Sequence, residues 1–202
     1  MTKVIIFLCV TIMMCGCSTV DQSSQEIYDG PPQDLLLDLT DLPGDYLLME
    51  ELSGERPNQD LTMESDNPDA LNAYLERTGR ISGWENRYLL IQPTKTLPGF
   101  IINKIVVFKS IEGAQAALNW PTAETRQLVE IEPQIGDKIL VTMVPFNSPN
   151  GSTWIDYRVE FTYQNLMVTI TTYAPEAIAT PQYALDLAIH LVDNFESRIN
   201  QK

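Results

Sequence analysis

From Ile155 to Tyr163 the chain alternates without a break. Ile155, Tyr157, Val159, Phe161 and Tyr163 are apolar, and Asp156, Arg158, Glu160 and Thr162 stand between them. A period of two puts the first set on one face of a β-strand and the second on the other. The tight connection at Gln164-Asn165 then predicts a hairpin into Met167-Val168-Thr169-Ile170-Thr171-Thr172-Tyr173. A hairpin pairs its strands antiparallel, and a strand with one apolar face needs something to cover it. The chain is therefore confined to folds built on an antiparallel sheet with a covered face.

Further segments rich in β-branched and aromatic residues predict strands at 85–92, 100–109, 127–132 and 138–146. Helix signals fall between and after them. Pro68 follows an Asn67 cap and Gly79 closes that segment; Ser110 caps a second helix that Pro121 stops. Thr180 and Pro181 open a long final helix to about residue 200, with Ala184, Leu187, Ala188, Leu191 and Phe195 as its apolar stripe. The expectation is an α+β domain: an antiparallel sheet of about six strands, helices packed on one face, and a long C-terminal helix.

The first seventeen residues read as an address rather than as part of that fold. Lys3 precedes an apolar run, Val4 to Met14, interrupted only by Thr11, and Gly16 stands directly before Cys17. Eleven positions are too few for a permanent bilayer helix, which needs ~20, and suit a signal-peptide core. Met14-Cys15-Gly16-Cys17 resembles the bacterial lipobox, in which the last Cys is acylated and becomes the mature N-terminus. That implies residues 1–16 as signal peptide, lipidation at Cys17, a flexible acidic tether over 17–40, and a single domain over 41–202. All three cysteines, Cys9, Cys15 and Cys17, fall in or at the end of the signal. The expected domain thus has neither disulfides nor thiolate metal sites.

The formal charge of −14 is unevenly spread. Residues 21–69 hold fourteen acids and one base, Arg56, whereas residues 70–202 are close to neutral. Nucleic acid is not an expected partner, because its binding needs clustered Lys and Arg to neutralise phosphates. Asp34, Asp38, Asp41 and Asp45 recur at helical spacing, but Pro43 and Gly44 interrupt them and the calcium-loop pattern is missing. No cofactor is expected: no glycine-rich phosphate loop precedes a Lys, and the single histidine, His190, has no marked nucleophile. Two aromatics after small residues, Trp84 after Ser82-Gly83 and Trp154 after Gly151-Ser152, are the candidate ligand contacts, set against ordinary core and rim packing.

Asp41-Leu42-Pro43-Gly44-Asp45-Tyr46, Val107-Phe108-Lys109-Ser110-Ile111-Glu112-Gly113-Ala114 and Ile135-Gly136-Asp137 resemble segments of a loose group of bacterial lipoproteins. These carry one small α+β domain after an acidic or Ser-rich tether. Gly44 stands one place early relative to the group's Pro-x-Gly-aromatic order. The resemblance implies a fold and an envelope location on the cell membrane or outer membrane, and no activity. The expected role is non-catalytic binding or interaction, with the membrane, through Cys17, and an envelope protein as candidate partners. The alternatives are an extracytoplasmic hydrolase and a solute- or glycan-binding accessory module.

Overall fold

A computed structural model describes residues 27–119 and 126–199 of the chain. The expected signal peptide and the lipidation residue Cys17 lie outside them. The described strands form one antiparallel sheet. Its members are β1 (Tyr46–Leu48), β2 (Gly54–Glu55), β3 (Arg80–Leu90), β4 (Phe100–Phe108), β5 (Gln127–Leu128), β6 (Lys138–Asn147), β7 (Thr153–Tyr163) and β8 (Leu166–Pro175). They run in the order β1-β3-β4-β8-β7-β6-β5, with β2 also pairing with β3. The hairpin predicted from alternation is the β7–β8 pair, closed by Tyr163 opposite Leu166, with Gln164 at a φ of 52° in its turn.

The two strands beyond the six expected, β1 and β2, have three and two residues, too few to display a period. β3 starts five residues earlier than expected, and Ser82-Gly83 lies inside it rather than in a turn. Gly83 answers a packing need: a Cβ there would stand 2.6 Å from Arg80 Nη2 and 3.2 Å from the Ile105 carbonyl.

Four α-helices complete the described fold: α1 (Asn58–Glu64), α2 (Pro68–Thr78), α3 (Ile111–Leu118) and α4 (Pro181–Ile199). The expected caps are in place. Asn67 Oδ1 accepts from Ala70 N at 3.1 Å, and Ser110 Oγ accepts from Gly113 N at 3.1 Å. Gly79 ends α2 in the left-handed conformation. The stripe of α4, with Ala184, Leu187, Ala188, Leu191 and Phe195, buries against Ile101, Ile105, Val159, Phe161, Val168 and Ile170 in the main core. These sheet residues point to one face, which we call the covered face. Helices are not confined to it, however. Ala114 and Ala117 of α3 pack with Val106 and Phe108 in a second, smaller core on the opposite face. The β4 run Ile105-Val106-Val107-Phe108 is apolar on both sides, so it requires cover on both.

The segment expected to be tether is also part of the fold from Tyr28 onward. Tyr28, Leu35, Leu36, Leu37 and Leu42 all belong to the main core, and a 3-10 turn at Pro32–Leu35 carries the chain across it. Two buried asparagines hold this segment by its backbone. Asn165 accepts from Tyr28 N (2.7 Å) and donates to the Tyr28 and Phe108 carbonyls (2.9 and 2.8 Å). Asn103 accepts from Leu37 N at 2.8 Å, and the Tyr88 hydroxyl donates to the Leu37 carbonyl. Burying each leucine is worth about 1.5–3 kcal/mol, which outweighs the acidic residues spaced between them.

Candidate functional site

Among the described residues, α3 covers one end of the face of the sheet opposite α4. Strand register lays out the remainder in rows. One row runs Glu85, Lys104, Thr169, Glu160, and the next runs Arg87, Ile102, Thr171, Arg158. A third runs Leu89, Phe100, Tyr173, Asp156. In the two charged rows the central strand, β8, presents short hydroxyl side chains. Lys104 and Glu160 flank Thr169, and Ile102 and Arg158 flank Thr171, which gives a trough with a threonine floor. This face is neither solvated throughout nor apolar: Glu85, Asp156, Thr169 and Thr171 are buried, and Lys104, Arg158 and Glu160 are partly so.

Two of the acids are firmly held. Glu85 Oε1 accepts from Arg87 Nε at 2.5 Å and stands 3.5 Å from Arg56 Nη2. Asp156 receives both terminal nitrogens of Arg126, at 3.0 and 3.1 Å, while Arg126 Nε donates to Thr142 Oγ1 at 2.8 Å. This two-pronged contact is the strong geometry for a guanidinium and a carboxylate. Arg158 is more loosely engaged, its Nη2 lying 4.0 Å from Asp156 Oδ2. Its Nε is buried with no partner among the described residues.

Lys104 and Glu160 differ again. They flank Thr169 from the strands on either side of it, about 10 Å apart between backbones, and among the described residues neither side chain makes a hydrogen bond or an ion pair. Burial lowers the Lys104 ammonium below its ordinary pKa, with Arg80 adding to the effect and Glu85 and Glu160 opposing it. Burial raises the Glu160 carboxyl, against the pull of Arg158, Arg126 and Lys104. Ionisable groups without a close partner and displaced from their ordinary range by burial make this face a candidate binding or reacting face.

The outer end of the same face is apolar. The register places Leu47 opposite Leu89, Leu89 opposite Phe100, and Phe100 opposite Tyr173. The Phe100 and Tyr173 rings lie 5.6 Å apart, and Phe146 stands edge-on to Tyr173 at 6.1 Å. Leu47, Leu89 and Phe146 are 54%, 43% and 37% exposed, so this band is open to solvent.

The two tryptophans singled out in the sequence are not brought together. Trp84 pairs with Ile105 on the covered face and packs against the main core. Trp154 lies at the apolar end of the sheet. With Leu89, Leu97, Pro175 and Ile178 it lines a small hollow, its ring edge against Gly99, and its Nε1 donates to Ser152 Oγ at 3.1 Å. His190 is remote from the trough: its Nε2 is 2.8 Å from Asp41 Oδ1 and 3.1 Å from Asn194 Nδ2. Asp38 and Asp41 serve their own loop, accepting from Thr40 N at 2.7 Å and Asp38 N at 2.8 Å. Among the described residues no three His, Cys, Asp or Glu side chains are grouped to hold a metal ion.

Lys104 was legible as an oddity, a lone cation inside Phe100-Ile101-Ile102-Asn103-Lys104-Ile105-Val106-Val107-Phe108. Arg158 and Glu160 are visible in the sequence as the polar phase of β7. Their arrangement around Thr169 depends on strand order, which periodicity does not encode.

Fold and face together define an α+β domain with one covered sheet face and one open, charged face. No family model matches the chain, and no curated protein matches it. Among solved structures it is similar to the extracellular domain of PknH from Mycobacterium tuberculosis. That match has 13% sequence identity and a TM-score of 0.47, and it covers 82% of this chain and 94% of that one. No helix among the described residues is long and apolar enough to cross a membrane.

Proposed function

We propose that this chain is an extracytoplasmic bacterial lipoprotein, held to the cell membrane or outer membrane by acylated Cys17. Its domain acts by binding rather than by catalysis, with its ligand on the open face of the sheet. The observation that carries this reading is a partly buried group on the face opposite α4: Lys104 and Glu160 flank Thr169 with no side-chain partner among the described residues, and Arg158 beside Thr171 has only a long contact to Asp156. The envelope location is supported by the sequence from Lys3 to Cys17.

Binding is favoured over hydrolysis by the carboxylates. Asp156 and Glu160 are four residues apart on one strand, about 13 Å between backbones, against the ~5–9.5 Å between carboxyl groups that glycoside hydrolysis uses. Asp156 is in any case occupied by Arg126. The test is thermal unfolding of the full chain, recovered from membranes, against small anionic, cationic and neutral compounds, with Lys104→Ala in parallel. At least one compound class is expected to raise the midpoint of the wild type and not of the variant. Shifts in neither protein, or equal shifts in both, would remove this face as the binding site. A Cys17→Ala chain that still incorporates labelled fatty acid would remove the anchor.

A further inference from the structure

Resting on the binding reading above, we infer that the ligand is a small organic anion with an apolar body. Its oxyanion head sits between Lys104 and Arg158, and its body lies over Phe100, Tyr173 and Phe146.

The sign of the head group follows from what is left over once internal pairs are formed. Glu85 is matched by Arg87 and Arg56, and Asp156 by Arg126. Among the described residues the donors left without a close acceptor are the Lys104 ammonium and Arg158, whose Nε has no partner and whose contact with Asp156 is a long 4.0 Å. A buried donor without an acceptor is costly, and an incoming oxyanion satisfies both groups at once. Among the described residues of these rows Glu160 is the acid without a side-chain partner, and burial biases it toward the protonated form. Protonated, it is a hydrogen-bond donor to the same oxyanion rather than a repelling charge. The gathering of cations is selective: the chain has 27 acids and 13 bases, yet on β3, β4, β7 and β8 Arg80, Arg87, Lys104 and Arg158 outnumber Glu85, Asp156 and Glu160.

The apolar half follows from the adjoining row. Lys104 and Phe100 are four residues apart on β4, about 13 Å along the strand. A ligand reaching from one to the other therefore has roughly the length of an oxyanion carrying an aryl-alkyl or short alkyl group. Leu47, Leu89 and Phe146 stay open at the end where that body would lie. A wholly polar anion would leave this band exposed, and a wholly apolar ligand would leave the Lys104 and Arg158 donors unmet.

The test uses three probes with one body: 4-phenylbutyrate, 4-phenylbutylamine and 4-phenylbutan-1-ol. Each is titrated calorimetrically into the full chain held in zwitterionic nanodiscs, with empty nanodiscs as the blank. The carboxylate is expected to bind at least tenfold more tightly than the amine or the alcohol. Lys104→Met should weaken it tenfold or more, Lys104→Arg should keep it within about threefold, and Phe146→Ala should weaken it severalfold. Amine or alcohol binding equal to that of the carboxylate, and still lost in Lys104→Met, would overturn the anion while leaving the binding face in place. Carboxylate binding unchanged by Lys104→Met, in a variant whose thermal midpoint shows it folded, would also overturn the inference. If none of the three probes binds, the inference fails, and a thermal panel blank across all charge classes would take the binding face with it.

Discussion

Lys104 and Glu160 face the same side of the sheet across Thr169 and form no ion pair with each other. Two opposite charges drawn partly out of water without forming an ion pair are a cost to the fold, since their attraction across Thr169 is smaller than the solvation each has lost. Replacing one by an apolar side chain of similar length should therefore stabilise the protein. Lys104→Met is expected to raise the free energy of unfolding at pH 7 by about 1 kcal/mol, read as a higher urea midpoint at unchanged slope. The same variant should lose the anion. Gained stability paired with lost binding is the signature of a residue kept for function, whereas lost stability would mean that Lys104 is a structural cation.

The pH dependence carries the complementary signal. Burial raises the Glu160 carboxyl above the usual glutamate value of 4.5. In the window above that value, the native state holds a proton that the unfolded state has released. The stability contributed by Glu160 is thus fully present below pH 4.5 and is lost as pH rises through the raised native value. Glu160→Gln cannot titrate. Its unfolding free energy should decline less than the wild type's between pH 4.5 and 7, and the two curves should converge at the acid end. Parallel curves across that range would mean that the native carboxyl is not displaced.

Gly113 shows how closely α3 is set against the end of α2. A Cβ at this position would fall 2.1 Å from the Thr78 carbonyl oxygen, which is backbone and cannot swing aside. Gly113→Ala, favourable by helix propensity alone, should instead destabilise by about 1–3 kcal/mol as α3 is pushed off Val106 and Phe108. Chemical denaturation measures the loss. Because the displaced helix bounds one end of the trough, weaker anion binding should accompany it.

What the sequence displayed plainly was whatever repeats along one element. The β7 alternation, the stripe of α4 and the caps at Asn67 and Ser110 rest on neighbours within a turn or a strand, and they recur in the structure. The second core beneath α3 was harder to see, because a two-sided apolar run such as Ile105-Val106-Val107-Phe108 has no period. Trp84 and Trp154, alike in their small preceding residues, fall on different faces. The trough lay further out of reach: its residues come from β3, β4, β7 and β8 and from the approach to β5, and only the β4–β8–β7 order makes them neighbours. The N-terminal segment misled through composition. Asp29, Asp34 and Asp38 signal a solvated tether, yet Asn165 and Asn103, far along the chain, clamp its backbone and bury its leucines.

The position of that boundary decides how the protein can be cut. If the fold began at Asp41, removing residues 1–40 would be harmless. The geometry argues otherwise, because Tyr28, Leu35, Leu36 and Leu37 lie in the main core beside Tyr88 and Ile101. At about 1.5–3 kcal/mol for each buried apolar side chain, their loss approaches the whole stability of a typical domain, ~5–15 kcal/mol. It would also strip Asn165 and Asn103 of backbone partners. A chain starting at Ile27 should therefore unfold cooperatively with near-native stability, and one starting at Asp41 should be largely unfolded. Asn165→Ala in the full chain is an intermediate case. It removes three buried hydrogen bonds and should cost about 2–4 kcal/mol, with amide exchange accelerated at Tyr28 more than in α4. Equal stability of the two truncated chains would return residues 28–40 to the tether.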